Sequence, residues 1–179
     1  NIGSELIKQS KEIGTLLSRE EGKTLPEGIG EVVRSGQQFQ YYAASALRQF
    51  GENIASTRDG VSVEMTREPV GVCGIISPWN FPIAIAAWKS APAIAFGNAI
   101  VLKPASQTPA SAIALTKIIS EQKDIPEGLF NLVLGGGGTI GHQISNHVNI
   151  NAISFTGSVG VGQTIYLEAA KSMKRMQLE

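Results

Sequence analysis

The sequence predicts an α/β fold: a doubly wound parallel sheet preceded by two helices and a β-hairpin. Three observations carry this. From residue 70 onward, short apolar runs alternate with longer helical patterns; the runs lack the polar alternation of a sheet with one wet face; and each ends in a loop rich in Gly, Pro, Ser or Thr. Strands buried on both faces and separated by helices belong to parallel sheets covered on both sides.

The elements follow in order. Ile2 to Glu21 sets Leu6, Ile13, Leu16 and Leu17 at the spacing of one amphipathic helix. A second helical pattern runs from about Gly28 to Phe50, after a turn in which Gly22 stops the first helix and Pro26 starts the next. Thr57-Arg58-Asp59-Gly60 reads as a hairpin turn, followed by alternating Val61, Val63 and Met65. The alternation after Pro69 then gives strand 70–76, helix 83–96, strand 99–103, helix 110–122 and strand 130–134. A helix from Thr139, a strand 152–155, a helix 158–174 and an apolar start at Met176 complete it. The expected division is 1–56 helical, 57–69 hairpin and 70–179 dinucleotide-binding domain.

Bulk composition narrows the function. The 179 residues carry 15 Lys plus Arg against 15 Asp plus Glu, so neither nucleic acid nor an anionic membrane is an expected partner. One cysteine excludes an internal disulfide, and His142 and His147 do not share a helix face, so no metal is expected. The apolar stretch 81–102 contains Lys89, Pro92 and Gly97-Asn98 and reads as a buried helix and strand rather than a membrane span. No signal peptide and no initiator Met open the chain, which reads as a cytoplasmic fragment.

In doubly wound sheets the ligand lies beyond the C-terminal ends of the strands. Four loops sit there. Ser77-Pro78-Trp79-Asn80-Phe81-Pro82 offers an amide donor and an apolar wall on a proline-fixed backbone, and serves equally as a rigid strand-to-helix turn. Lys103-Pro104-Ala105-Ser106-Gln107-Thr108-Pro109 places a cation at a strand end, where a solvated lysine is the simpler reading. Phe155-Thr156-Gly157-Ser158 opens a helix whose N-terminus suits an anion, although ordinary capping explains Ser158 as well.

The remaining loop, Gly136-x-Gly138-x-x-Gly141, satisfies the dinucleotide fingerprint but lacks the acidic residue about 20 positions on that would take the ribose. The first carboxylate beyond it is Glu168. A short-chain reductase would need Tyr-x-x-x-Lys, whereas Tyr166 and Lys171 are five apart.

Together, the Ser77–Pro82, Lys103–Pro109 and Phe155–Ser158 loops, with Gly162 and the closing Gln177-Leu178-Glu179, resemble the aldehyde dehydrogenase superfamily in order and spacing. The resemblance covers essentially the whole chain and implies a Rossmann-like cofactor domain, with the hairpin in an oligomerisation domain of a homo-oligomeric parent. It implies NAD- or NADP-dependent oxidation of a small-molecule aldehyde through a cysteine thiolate. Asn80 matches the oxyanion donor and Glu179 the general base.

The same resemblance places the nucleophile beyond Glu179. Cys73 lies within a strand and reads as a buried side chain, so this chain alone is expected to be inactive, a non-catalytic dinucleotide-binding module. For the cofactor, the resemblance implies Ile76, Ser77, Pro78 and Trp79 along the channel, Lys103 on the adenosine ribose and Ser158 on the pyrophosphate. Val161 and Gly137 would lie near the adenine, and Phe155, Thr156 and Gly157 toward the nicotinamide. Gly141 would ease packing of the following helix. Ser106 stands where many NAD-preferring relatives carry Glu, which removes repulsion of a 2′-phosphate and makes NADP acceptable. Arg19–Glu27 with Thr66–Val72 looks like 2-oxoglutarate semialdehyde dehydrogenases, and the Lys103 loop like succinate semialdehyde dehydrogenases; either implies a carboxylated semialdehyde.

Overall fold

Five strands, β3 (Val72–Ile76), β4 (Ala99–Lys103), β5 (Phe130–Leu132), β6 (Ala152–Phe155) and β7 (Arg175–Leu178), form one parallel sheet in the order β5-β4-β3-β6-β7. The structure is a computed structural model, and it describes residues 1–48 and 51–179. The chain starts at the central β3, adds β4 and β5 on one side, then returns to add β6 and β7 on the other. The reversal makes the gap between β3 and β6 the topological switch point, where such sheets bind ligands.

Each strand sends alternate side chains to opposite faces, which yields two cores. Ile75, Ile100 and Leu102 face α4 (Ala84–Ala95) and α5 (Pro109–Ser120), which bury Ala86, Ala87, Leu115 and Ile119 against them. Ile76, Ile153 and Phe155 face the other way, toward Ile144, Ile150, Ile165 and Ala169. That second layer is α6 (His142–Asn146) and α7 (Val159–Ala170). Gly74 lets α6 approach β3: a Cβ there would come 2.5 Å from Ile144 Cγ2.

Three N-terminal helices, α1 (Ile2–Lys8), α2 (Ser10–Glu21) and α3 (Leu25–Ala46), lie over α4 and α5 and insert Leu6, Leu17, Val32 and Phe39 into the first core. They also cap the helices beneath them. Neither α4 nor α5 has a side-chain bond from its own cap residue. Instead Glu31 Oε1 accepts the Ile83 and Ala84 N–H groups at 3.0 Å each, and Glu20 accepts those of Ala110 and Ser111 at 2.6 and 2.8 Å. A carboxylate there satisfies orphan donors and opposes the helix dipole, at about 1.5–3 kcal/mol net per charged hydrogen bond.

Several boundaries differ from the expected ones. The first predicted helix is two, because Gln9 adopts φ −91°, ψ 10°, and neither Gly nor Pro signals the break. The second starts at Leu25, where Glu27 accepts the Thr24 N–H and hydroxyl at 3.1 and 2.6 Å, and it ends at Ala46; the predicted continuation to Phe50 reaches outside the described residues. The hairpin pairs β1 (Glu52–Ala55) with β2 (Ser62–Met65), so strand begins inside the stretch 1–56 expected to be helical. The glycine loop forms a single π-helical turn, Gly137–Gly141, before α6, rather than a helix from Thr139. A Cβ at Gly141 would meet nothing within 4 Å beyond its own helix, so close packing is not what it provides; Gly74 has that role.

Candidate functional site

Because neighbouring strands end side by side, the sheet order fixes the order of the loops along its C-terminal edge. The glycine loop after β5 adjoins the Lys103–Pro109 loop, where Ser106 Oγ donates to the Gly135 carbonyl at 3.3 Å. Next comes the Ser77–Pro82 loop, with Ser77 N–H donating to the Lys103 carbonyl at 3.1 Å. Thr156 N–H donates to the Ile76 carbonyl at 3.1 Å, which brings the Phe155–Ser158 loop alongside. Glu179 closes the row, its N–H on the Phe155 carbonyl at 3.0 Å and its carbonyl accepting from Gly157 at 3.2 Å. Gly137, Ser106, Lys103, Ile76–Trp79, Thr156–Ser158 and Glu179 thus run in sequence across the edge.

Four groups on this edge have few or no partners among the described residues. Lys103 is 4% exposed, and its ammonium donates only to the Pro104 carbonyl at 2.7 Å; burial pushes its pKa below the usual lysine value. Ser77 Oγ is buried with no hydrogen bond. Ser158 occupies the N-cap of α7 with extended φ/ψ of −72° and 148°, yet its hydroxyl makes no cap bond, contrary to ordinary capping. The first N–H groups of α7 are therefore left by their own cap. The Asn80 side chain is exposed and makes no hydrogen bond among the described residues.

A cavity of about 690 Å³ brings together Phe155, Gly157, Ser158 and Glu179 with Gly162, Tyr166 and Leu178. The Phe155 ring is seated by two glycines, since a Cβ at Gly157 would lie 2.6 Å from it and one at Gly162 3.2 Å. Val161 is 50% exposed and does not line this cavity. Trp79, Asn80 and Phe81 line a separate groove of about 640 Å³ with Lys23, Glu31, Arg34 and Trp88. Gly137 opens onto free space, with nothing within 4 Å of a built Cβ.

One side chain beside Glu179 escapes the sequence reading as a site residue. Lys89, on α4, donates to Ser154 Oγ at 2.8 Å and to Gln177 Oε1 at 2.9 Å, and its ammonium lies 3.9 Å from Glu179 Oε2. Its side chain is 6% exposed; burial lowers its pKa and the Glu179 carboxylate opposes that. Thr156 Oγ1 donates to the same Glu179 oxygen at 3.2 Å. The signal existed: a lysine inside an apolar helical run is costly to bury without partners. Cys73 is half-buried in β3, and burial pushes its thiol pKa up, the opposite of an activated nucleophile. Among the described residues no group of three His, Cys, Asp or Glu could hold a metal ion, and no helix is long and apolar enough to cross a membrane.

Known proteins share this fold. Residues 1–179 match the model described as the aldehyde dehydrogenase family. Among curated relatives, an alpha-ketoglutaric semialdehyde dehydrogenase of Bacillus subtilis is 44% identical over 94% of this chain and 34% of its own length. A 2,5-dioxopentanoate dehydrogenase of Saccharolobus solfataricus is 41% identical over 99% of the chain and 37% of its own. Two solved structures superpose closely: an E. coli NADP dependent enzyme, 34% identical, TM-score 0.97, covering 100% of this chain and 37% of that one, and a Staphylococcus aureus betaine aldehyde dehydrogenase in complex with NAD+, 34% identical, TM-score 0.96, covering 99% and 35%. The chain thus spans 34% to 37% of the length of these relatives.

Proposed function

The chain belongs to the aldehyde dehydrogenase family, and from that premise we propose that it supplies the cofactor site, the oxyanion donor and the general base for NAD(P)-dependent oxidation of an aldehyde to a carboxylic acid. The observation that carries this reading is the row of loop ends. It sets a buried lysine bonded, among the described residues, to one backbone carbonyl, an orphan buried hydroxyl, an uncapped helix N-terminus and a carboxylate along one sheet edge in the order a dinucleotide would cross them.

The residues present fit such a cofactor. Ser158 and the first N–H groups of α7 would hold the pyrophosphate, with Gly157 leaving the backbone bare. Lys103 would donate to the adenosine ribose, and Ser106 leaves room without negative charge for a 2′-phosphate, so NADP is accepted. The glycine loop passes the adenine at Gly137, and Val161 flanks the same end. Ile76, Ser77, Pro78 and Trp79 line the channel, with Phe155 and Thr156 near the nicotinamide, which supplies hydride acceptance when bound.

The protein groups act on the acyl carbon. The Asn80 amide donates to the oxygen that turns negative when a thiolate, contributed from outside these residues, adds to the aldehyde. Such a donor is worth about 2.7–4 kcal/mol in the barrier. Glu179 removes the proton of the water that hydrolyses the acyl product, and Lys89, beside it, keeps the carboxylate oriented with Thr156. Semialdehyde dehydrogenases among the relatives support a carboxylated semialdehyde as substrate. The test is a panel of semialdehydes and unsubstituted aldehydes offered to the full-length protein with NAD or NADP, read as reduced nicotinamide absorbance. No turnover with any of them, at intact cofactor binding, refutes the assignment.

A further inference from the structure

We propose that Lys23 and Glu31 are positioning residues that clamp the Asn80 loop at both ends, so that the N-terminal helices set the geometry of the oxyanion donor. The inference rests on the oxyanion role given to Asn80 above. Lys23 lies in the turn between α2 and α3, and Glu31 lies within α3. The Lys23 ammonium donates to the Asn80 backbone carbonyl at 3.0 Å and to Glu31 Oε2 at 2.6 Å, and it lies 3.5 Å from Glu21 Oε2. Two of the ammonium's three donors are thus used on Glu31 and Asn80, while Glu21 Oε2 adds an ion pair without a hydrogen bond. The same nitrogen sits 4.1 Å from the centre of the Phe81 ring, a cation–π contact that holds the next residue of the loop.

Glu31 completes the clamp from the other end. While one oxygen pairs with Lys23, the other accepts the N–H groups of Ile83 and Ala84, each at 3.0 Å. Residues 80 and 81 are thus held by Lys23 and residues 83 and 84 by Glu31, with Pro82 fully buried between them. The two holders are themselves ion-paired and shielded from water, with side chains 11% and 2% exposed. The loop has little else to fix it, because Trp79, Asn80 and Phe81 are all exposed. A donor aimed at a developing charge works only if its place is set beforehand, and misplacement by about 1 Å can cost on the order of 100-fold in rate.

The test uses the full-length protein carrying Lys23→Met, Lys23→Arg or Glu31→Gln, each alone and with Asn80→Ala. Lys23→Met is expected to lower kcat roughly 10- to 100-fold, with the KM for dinucleotide changed by no more than about twofold, and Lys23→Arg to recover most of the loss. In the Asn80→Ala background the same change should cost less than about threefold, since residues acting through one group are not additive. Glu31→Gln keeps the side-chain volume and provides a second probe with the same signs. Independently of turnover, amide hydrogen exchange across residues 79–86 should accelerate in Lys23→Met and Glu31→Gln. Equal losses in both backgrounds, or unchanged exchange, would overturn the clamp. A protein that oxidises no aldehyde while its variants show the faster exchange would refute the oxidation reading and leave the clamp standing.

Discussion

The two loops that flank the switch point are built on opposite plans. The Ser77–Pro82 loop after β3 has its backbone held from outside: Lys23 takes the Asn80 carbonyl, Glu31 takes the N–H groups that follow, and Pro82 is buried. Among the described residues the exposed Asn80 amide is left without a partner, as is the buried Ser77 hydroxyl. The Phe155–Ser158 loop after β6 leaves its helix terminus open, because Ser158 does not cap α7 and, among the described residues, no carboxylate bonds its first N–H groups. An acid there would repel phosphate. The same physical device, a glutamate on a helix N-terminus, is used at α4 and α5 and withheld at α7, which on the proposed reading separates a fixed donor from a terminus left to receive an anion.

Substitutions can break that division of labour. Asn80→Ala should have the largest effect, a fall of about 10²- to 10³-fold in kcat, with dinucleotide affinity unchanged; weakened cofactor binding in steady-state and titration assays would show that the clamped loop is not specialised for the acyl oxygen. Gly157→Val is expected to act the other way. Its side chain collides with the Phe155 ring, and forced repacking of about 1–3 kcal/mol should weaken dinucleotide binding and lower the melting temperature together. A variant that binds normally would place the cofactor away from α7.

Ser106→Glu sharpens the contrast at the far end of the row. A carboxylate beside the ribose should discriminate against NADP by about tenfold or more while leaving NAD affinity equal or improved, measured as the ratio of kcat/KM values. Unchanged selectivity would remove Ser106 from the cofactor site.

Much of this scaffold was legible because local composition carried it. β4 and β6 have the predicted limits, since each is an apolar run closed at both ends by polar or turn-forming residues. The loop motifs were legible for the same reason. What sequence could not show are contacts across 52 to 91 residues, such as Glu31 on Ile83 and Glu20 on Ser111, which depend on how the helices stack rather than on any local pattern. Lys23 and Glu31 look like an ordinary solvated turn and helix face until the loop of Asn80 is folded onto them. Gly141 was assigned a packing role by its place in a motif, whereas Gly74, with no motif around it, is where α6 comes close.

The smallest predicted effect tests the contrast most directly. At an ordinary N-cap, Ser→Ala removes a hydrogen bond to the helix and costs about 1 kcal/mol of stability. At Ser158 the hydroxyl makes no such bond, so Ser158→Ala should leave the melting temperature unchanged. Its hydroxyl is instead free for a phosphate oxygen, and losing one such hydrogen bond of about 0.5–1.5 kcal/mol should weaken dinucleotide binding roughly two- to tenfold. Thermal denaturation without and with dinucleotide separates the cases. A drop in the free protein's melting temperature would mean that Ser158 caps α7 in solution, and the open terminus that distinguishes this loop from the clamped one would be gone.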